Sequence, residues 1–216
     1  MKISLKLTAL ALALAGAVGT AQATALLIEN PTANVDVVAG SFGGTLLDSA
    51  ITAISNISYN GTARAAVYDT GTGLDFYYQF TNNESSAHGL ERFSVADFSS
   101  LGASAVSIFQ TATAFDMFVT GTEQSEYADR TATGVFGMNF VPDGQSKILP
   151  GTTSFTQIIR TNATMYTAGN FGLLNGYADN AAGFATAVPE PETYAMLLAG
   201  LGMIGTIIRR RKGKQG

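Results

Sequence analysis

The sequence predicts an all-β fold, an antiparallel β-sandwich of immunoglobulin-like or jelly-roll-like type, flanked by an N-terminal signal peptide and one C-terminal transmembrane helix. Three observations carry this. Apolar residues in the middle of the chain alternate with period two: Leu74, Phe76, Tyr78 and Phe80 fall on one face of residues 74–81, and Asp75, Tyr77, Gln79 and Thr81 on the other. That alternation is the mark of a half-buried strand. Short runs of this kind are separated by turn chemistry (Asn60-Gly61, Asn82-Asn83, Pro142-Asp143-Gly144, Pro150-Gly151), with no long amphipathic helix between them, the pattern of stacked antiparallel sheets. Finally, both ends differ in composition from the middle, so neither enters the fold.

The chain opens with a secretory signal. Lys2 and Lys6 make a positive leader, Leu7 to Val18 an apolar segment, and Ala21-Gln22-Ala23 a small-residue site that places signal-peptidase cleavage before Thr24. Residues 24–177 are the sandwich. Its candidate strands are Ala53–Tyr59, Ala63–Tyr68, Leu74–Thr81, Arg92–Phe98, Ala105–Gln110, Phe115–Thr120, Gly134–Val141 and Ser154–Thr161. The turn Asp69-Thr70-Gly71-Thr72-Gly73 joins the second and third of these as a hairpin. Residues 178–187 turn small and polar and read as a flexible stalk.

Residues 188–212 have three parts with different physics. Val188-Pro189-Glu190-Pro191 is held extended by two prolines that fix φ and remove two backbone donors. Tyr194 to Ile208 is an uncharged, largely apolar run. As a helix it covers roughly 22 Å, less than a ~30 Å hydrocarbon core, so it spans only with snorkelling or local thinning. Arg209, Arg210, Arg211 and Lys212 form a basic stop signal that stays cytoplasmic and leaves everything before it outside.

Charge and composition narrow the function. The stretch from Thr24 to Ala187 carries five basic and fourteen acidic residues, a balance of −9, inside a chain of net charge −4. A domain so acidic has no basic footprint for nucleic acid or for anionic membranes. The chain has no cysteine, so an exported domain must draw its stability from its core. It is expected to fold alone as a monomer, with no cofactor and no disulfide.

Motifs that look chemical weaken under inspection. Gly200-Leu201-Gly202-Met203-Ile204-Gly205 matches G-x-G-x-x-G, but it lies in a terminal apolar run with no strand before it and no acid after it, so helix packing is its better use. Asp69-Thr70-Gly71 has no second copy to share a proton with, and its setting is that of a hairpin turn. His88 is the one histidine, in a polar loop with Ser85, Ser86 and Glu91; groups this local rarely form a triad. One histidine and no cysteine leave no zinc or copper site. Asp116, Glu123, Glu126 and Asp129 are an acid-rich stretch able to attract calcium but without EF-hand spacing, and a solvated loop is the plainer reading. The T-x-T pairs beginning at Thr70, Thr111, Thr120 and Thr131 are irregularly spaced and reflect β-propensity. Tyr59, Tyr68, Tyr77, Tyr127, Tyr166 and Tyr177 hint at sugar stacking, against a plain packing role. No catalytic residue is assigned.

The Val-Pro-Glu-Pro motif, the Gly-rich apolar run and the terminal Arg cluster, in that order at the C-terminus, resemble the PEP-CTERM sorting signal of Gram-negative bacteria. The resemblance implies an exosortase-type membrane protease that reads the Pro-Glu-Pro segment and removes the tail, with the alternative of a single-span anchor that is never cut. Residues 74–82, 149–155 and 160–163 are similar, more loosely, to ectodomains of PEP-CTERM proteins and to immunoglobulin-like adhesive modules. The family's setting implies exopolysaccharide as a partner. The chain is thus expected to pass through the inner membrane, ectodomain in the periplasm, to the outer envelope or matrix. There it would be a structural or adhesive component of an exopolysaccharide matrix, floc or biofilm, and not an enzyme. A carbohydrate-binding module is the alternative, and a polysaccharide hydrolase or lyase ranks third for want of a convergent acid–base pair.

Overall fold

The computed structural model describes residues 25–26, 32–96, 98–101, 106–140, 147–187, 198–201 and 203–204. Its strands in chain order are β1 (Ala25–Leu26), β2 (Thr32–Asn34), β3 (Asp36–Val37), β4 (Thr45–Ser55), β5 (Asn60–Asp69), β6 (Leu74–Asn82) and β7 (Arg92–Val95). After a 3-10 turn at Ser99–Leu101 come β8 (Val106–Thr111), β9 (Tyr127–Arg130), β10 (Phe136–Asn139), β11 (Thr156–Arg160), β12 (Tyr166–Leu174) and β13 (Ala178–Thr186). They form two sheets. The first has the order β1-β8-β11-β6-β5-β4, with β3 also on β8, and the second β13-β12-β7-β10-β9-β2. Every pairing is antiparallel except that of β3 with β8. The chain is mostly β in two sheets, as the alternating pattern predicts.

The core lies between the sheets. Phe76, Tyr78 and Phe80 of β6 meet Phe93 and Val95 of β7, Phe136 and Met138 of β10, and Phe171 and Leu173 of β12, all fully buried. The rings meet edge to face, Phe76 with Phe98 at 5.0 Å, Phe98 with Phe136 at 5.1 Å and Phe93 with Phe171 at 4.8 Å, the arrangement ring quadrupoles favour. Two buried hydroxyls cross the gap. Tyr59 donates to the Leu173 carbonyl at 2.7 Å and Tyr78 to that of Phe184. Burial pushes the Tyr59 phenol up to about 12 and raises that of Tyr78 further, so both remain donors.

One side of the sandwich is stitched by the start of the chain: β1 lies on β8, β2 crosses to β9, and β3 returns to β8. On the other side β4 and β13 meet, where the Ala182 amide donates to Thr52 Oγ1 at 3.2 Å.

Several predicted elements are corrected. The β5–β6 hairpin is present with the expected turn, closed by Thr70 N to Gly73 O at 3.0 Å and by Gly71 at φ +81°. Its outer face, however, is not solvated: Asp75, Tyr77 and Gln79 are as buried as the inner residues, because segments 38–42 and 112–126 roof it. The strand predicted at Ala53–Tyr59 is the tail of β4, which begins at Thr45 and ends at Ser55; Asn56 Oδ1 then accepts from the amides of Ser58 and Tyr59 and turns the chain. Phe115–Thr120 is not a strand. It is a tight loop in which Phe115 and Phe118 exchange backbone hydrogen bonds around Asp116, at φ +45°.

Residues 178–187, read as a stalk, are instead strand β13 and its last hydrogen-bonded residue. All nine residues of β13 pair with β12, from Ala178 opposite Leu174 to Thr186 opposite Tyr166. The sandwich therefore runs to Thr186 rather than to Tyr177. The signal peptide lies outside the described residues. So does most of the predicted span 194–208, of which 198–201 and 203–204 are described as helix; among the described residues no helix is long and apolar enough to cross a membrane.

Candidate functional site

Three polar arrangements could carry function, and two of them are saturated within the fold. On the roofed face of the first sheet, glutamines from adjacent strands do the work of a further strand. Gln79 of β6 donates to Val119 O at 2.6 Å and accepts from Val119 N at 3.0 Å. Gln110 of β8 does the same for Ser125, donating to its carbonyl at 2.8 Å and accepting from its amide at 2.8 Å. Ser125 Oγ donates onward to Gln157 of β11 at 2.7 Å. A primary amide presents the same donor–acceptor pair as a peptide group, so these side chains hold the roof alongside backbone bonds such as Thr122 N to Thr153 O at 2.7 Å. Beside them Asp75, fully buried, receives Arg160 through Nε at 3.0 Å and Nη2 at 2.7 Å, and the guanidinium stacks on Phe42 at 3.8 Å. Burial holds the Asp75 carboxyl above the ordinary range despite the opposing pull of Arg160.

The acid-rich stretch is dispersed by the fold. Asp116 accepts from Tyr68 Oη at 2.7 Å, while Glu123 lies apart, taking a weak hydrogen bond from Thr122 Oγ1 at 3.3 Å. Glu126 borders a separate hollow with Asn34, Val35 and Gln124. Asp129 faces the outer side of the second sheet, where Arg92 forks onto it and Asn139 Nδ2 donates at 2.7 Å. A Cβ on Gly137 would stand 1.9 Å from the Arg92 guanidinium, so only glycine lets that side chain lie flat across the sheet. Burial alone would raise the Asp129 carboxyl; the hydrogen bonds from Arg92 and Asn139 outweigh it and hold the group below its ordinary value. Among the described residues no group of three or more His, Cys, Asp or Glu side chains is placed to hold a metal ion.

The tyrosines are redistributed too. Tyr59, Tyr68 and Tyr77 are core residues, Tyr127 and Tyr166 are half-buried, and Tyr177 is 51% exposed. Tyr177 lines a cavity of about 500 Å³ with His88, Gly89, Lys147, Pro150 and Asn175. Four loops build it, with Ser58 from the β4–β5 turn and Lys147 and Pro150 from the β10–β11 loop. The β6–β7 loop brings His88, whose amide donates to Ser58 O at 2.8 Å. The β12–β13 turn brings Asn175 and Tyr177, and Asn175 Nδ2 reaches Ser58 Oγ and Gly89 O, each at 2.8 Å. Lys147 pairs with Glu91 at the margin. Asn175 is engaged within the loops and Lys147 by Glu91, so the exposed Tyr177 ring and the His88 side chain are what this hollow offers, and an exposed ring suits a polyhydroxylated ligand. Asp69, by contrast, is exposed and turns its carboxylate to the Gly71 amide at 2.8 Å, which is turn structure.

Direction matters as much as composition. The cavity sits at the β12–β13 turn, whereas the last backbone hydrogen bond among the described residues, Ala187 N to Met165 O at 3.0 Å, lies at the opposite end of the same hairpin. Nine residues of strand separate the ends, roughly 30 Å. The motif residues Val188, Pro189, Glu190 and Pro191, and the basic cluster Arg209, Arg210, Arg211 and Lys212, lie outside the described residues. So do Ala21, Ala23 and Thr24. In sequence, however, Val188 directly follows Ala187, which makes the last backbone hydrogen bond among the described residues.

Comparison with protein-family models places a PEP-CTERM protein-sorting motif at residues 187–212. No curated protein and no solved structure matches the chain. The motif implies export, sorting to the cell envelope and processing by an exosortase-type system.

Proposed function

We propose that this protein is a non-enzymatic exported β-sandwich that an exosortase-type protease cuts from its tail, and that it then serves as a structural or adhesive component of an exopolysaccharide matrix, floc or biofilm. The observation that carries the proposal is the sorting motif at 187–212, directly abutting the end of β13. The order of parts gives the mechanism. A basic cluster anchors a short apolar helix, the helix fixes depth, and the Pro-Glu-Pro segment is presented as an extended chain at the outer membrane surface. Cleavage there frees a domain whose ladder is complete at Thr186.

The test compares hosts with and without an exosortase, by immunoblot of membrane and medium. The wild-type chain should lose its tail only in the first host. Replacing Pro189-Glu190-Pro191 by Ala-Ala-Ala should trap the full-length chain in the inner membrane of both. A wild type that keeps its tail in both hosts is a plain anchor, and the sorting reading fails.

A second reading, a carbohydrate-binding module, is favoured by the exposed Tyr177 beside His88 and Asn175 at the end of the sandwich away from the tail. It requires binding on a glycan array of neutral and uronic-acid oligosaccharides that falls at least tenfold in Tyr177→Ala. Equal binding by the two chains, or none by either, rejects it.

A further inference from the structure

Among the described residues, the edges of the two sheets are treated unequally. The edge strands β1, β2 and β3 are two or three residues long, and β13, though nine, is turned against β4, where its Ala182 amide donates to Thr52 Oγ1, a bond that falls on a β4 side chain and not on its peptide groups. Strand β4 is the exception. It is the longest in the molecule at eleven residues, stands last in its sheet, and exposes Leu46, Leu47 and Ile51, the last by 62%. A long apolar edge offers a row of unpaired peptide groups to another chain, and soluble proteins normally blunt it with charge, proline or a bulge. The single bulge here lies between Leu46 and Asp48. Beyond it Ser49-Ala50-Ile51-Thr52-Ala53-Ile54-Ser55 is regular, without charge, proline or glycine.

We propose that β4 is a self-association edge whose occupant is β4 of a second copy of this chain, paired antiparallel about a two-fold axis at Thr52. The argument comes from the residues. Folding a strand back on its own copy pairs each position with its mirror: Ser49 with Ser55, Ala50 with Ile54, Ile51 with Ala53, and Thr52 with itself. On the outer face, where Ser49, Ile51, Ala53 and Ser55 are exposed, each isoleucine lies opposite an alanine and diagonal to the other isoleucine. Large meets small on both faces, as cross-strand packing favours. Sliding the axis toward the N-terminus, to Ile51 or Ala50, brings Asp48 opposite Ile54 or Thr52, so the register about Thr52 is the one that keeps the carboxylate out.

Charge selects the same surface. A sandwich carrying −9 repels its own copy almost everywhere, and Ser49–Ser55 contributes nothing to that repulsion. The interface is isologous, and the other described edges are short or, in β13, turned against β4, so association stops at two rather than growing into a fibre. This inference is independent of how the tail is processed.

The experiment measures the protein mass of the exported full chain in detergent by light scattering, with circular dichroism as the folding check. Ile51 and Ala53 are exposed, so charging them leaves the core alone. Ile51→Lys and Ala53→Glu should each halve the mass, since a charge then faces an uncharged partner. The double variant Ile51→Lys/Ala53→Glu should restore it, because the two-fold sets each lysine against the partner's glutamate twice. Association through the tail is common to all four chains and cancels. A mass unchanged by Ile51→Lys overturns the proposal. Single variants that dissociate without rescue in the double overturn the register, and heterogeneous aggregates of the wild type overturn the closed dimer.

Discussion

Phe76→Asp should leave no folded domain. Phe76 sits at the centre of β6 with no exposed surface, its ring 5.0 Å from Phe98, which in turn meets Phe136 of the opposite sheet. Removing the ring costs about 3–5 kcal/mol in transfer and cavity terms. Putting a carboxylate in its place adds the cost of an unpaired buried charge, or of protonating it. The sum approaches the roughly 5–15 kcal/mol that a whole domain has to spare. The expected result is a chain without the wild-type β spectrum or a cooperative melt, degraded on export. Phe76→Leu keeps an apolar side chain and should fold with a lowered midpoint. A cooperative melt in Phe76→Asp would mean that the space between the sheets is not the core.

How much of this was legible from residues alone depends on how local the cause is. The alternation in 74–81 identified β6 and its inner face, because a strand's period is a property of its own sequence. It could not reveal that the other face is buried as well. That face is covered by residues 38–42 and 112–126, distant in sequence, and its polar side chains look solvated until Gln79 is seen clasping Val119. The β12–β13 hairpin failed for the opposite reason. Its alanines, glycines and asparagines have weak strand preference, and it is strand because of where it packs: Tyr78 and Tyr59 hold its carbonyls, and Phe184 and Ala185 are buried beneath. In Phe115–Thr120 the apolar residues are there, but a residue at positive φ bends them into a loop.

The sites divide in the same way. The sorting motif is one contiguous segment at 187–212, so its parts are visible in sequence. The cavity at Tyr177 is assembled from four loops between residues 58 and 177, and Lys147 and Asn175 carry no signal of their own. The acid-rich stretch, read from sequence as a solvated loop, has residues that are neighbours in the chain only: folding sends Asp116 to Tyr68 and Asp129 to Arg92.

Where the chain is cut decides whether the released product is folded, and this yields a sharp expectation. A chain ending after Ala187 should be as stable as the full ectodomain, whereas one ending after Tyr177 should not fold. The second loses β13, which pairs with β12 along nine residues and buries Ala181, Phe184, Ala185 and Thr186. Burial of a side chain the size of Phe184 contributes about 1.5–3 kcal/mol. Each buried polar group left without its partner, beginning with the Tyr78 hydroxyl that Phe184 accepts from, costs about 1–3 kcal/mol more. With the exposed core face and the stripped edge of β12, the loss is of the order of the stability of the domain. A flexible stalk at 178–187 would make the two truncations equivalent, so urea melts of both, exported from the same host, discriminate directly. Because the β12–β13 ladder runs to Thr186, the place of a cut is constrained in one direction only. A cut anywhere in Val188–Pro191 leaves the sandwich whole, and a cut ten residues earlier destroys it. The Pro-Glu-Pro segment begins at Pro189, two residues past Ala187 and the last backbone hydrogen bond among the described residues, and so lies on the safe side of that boundary.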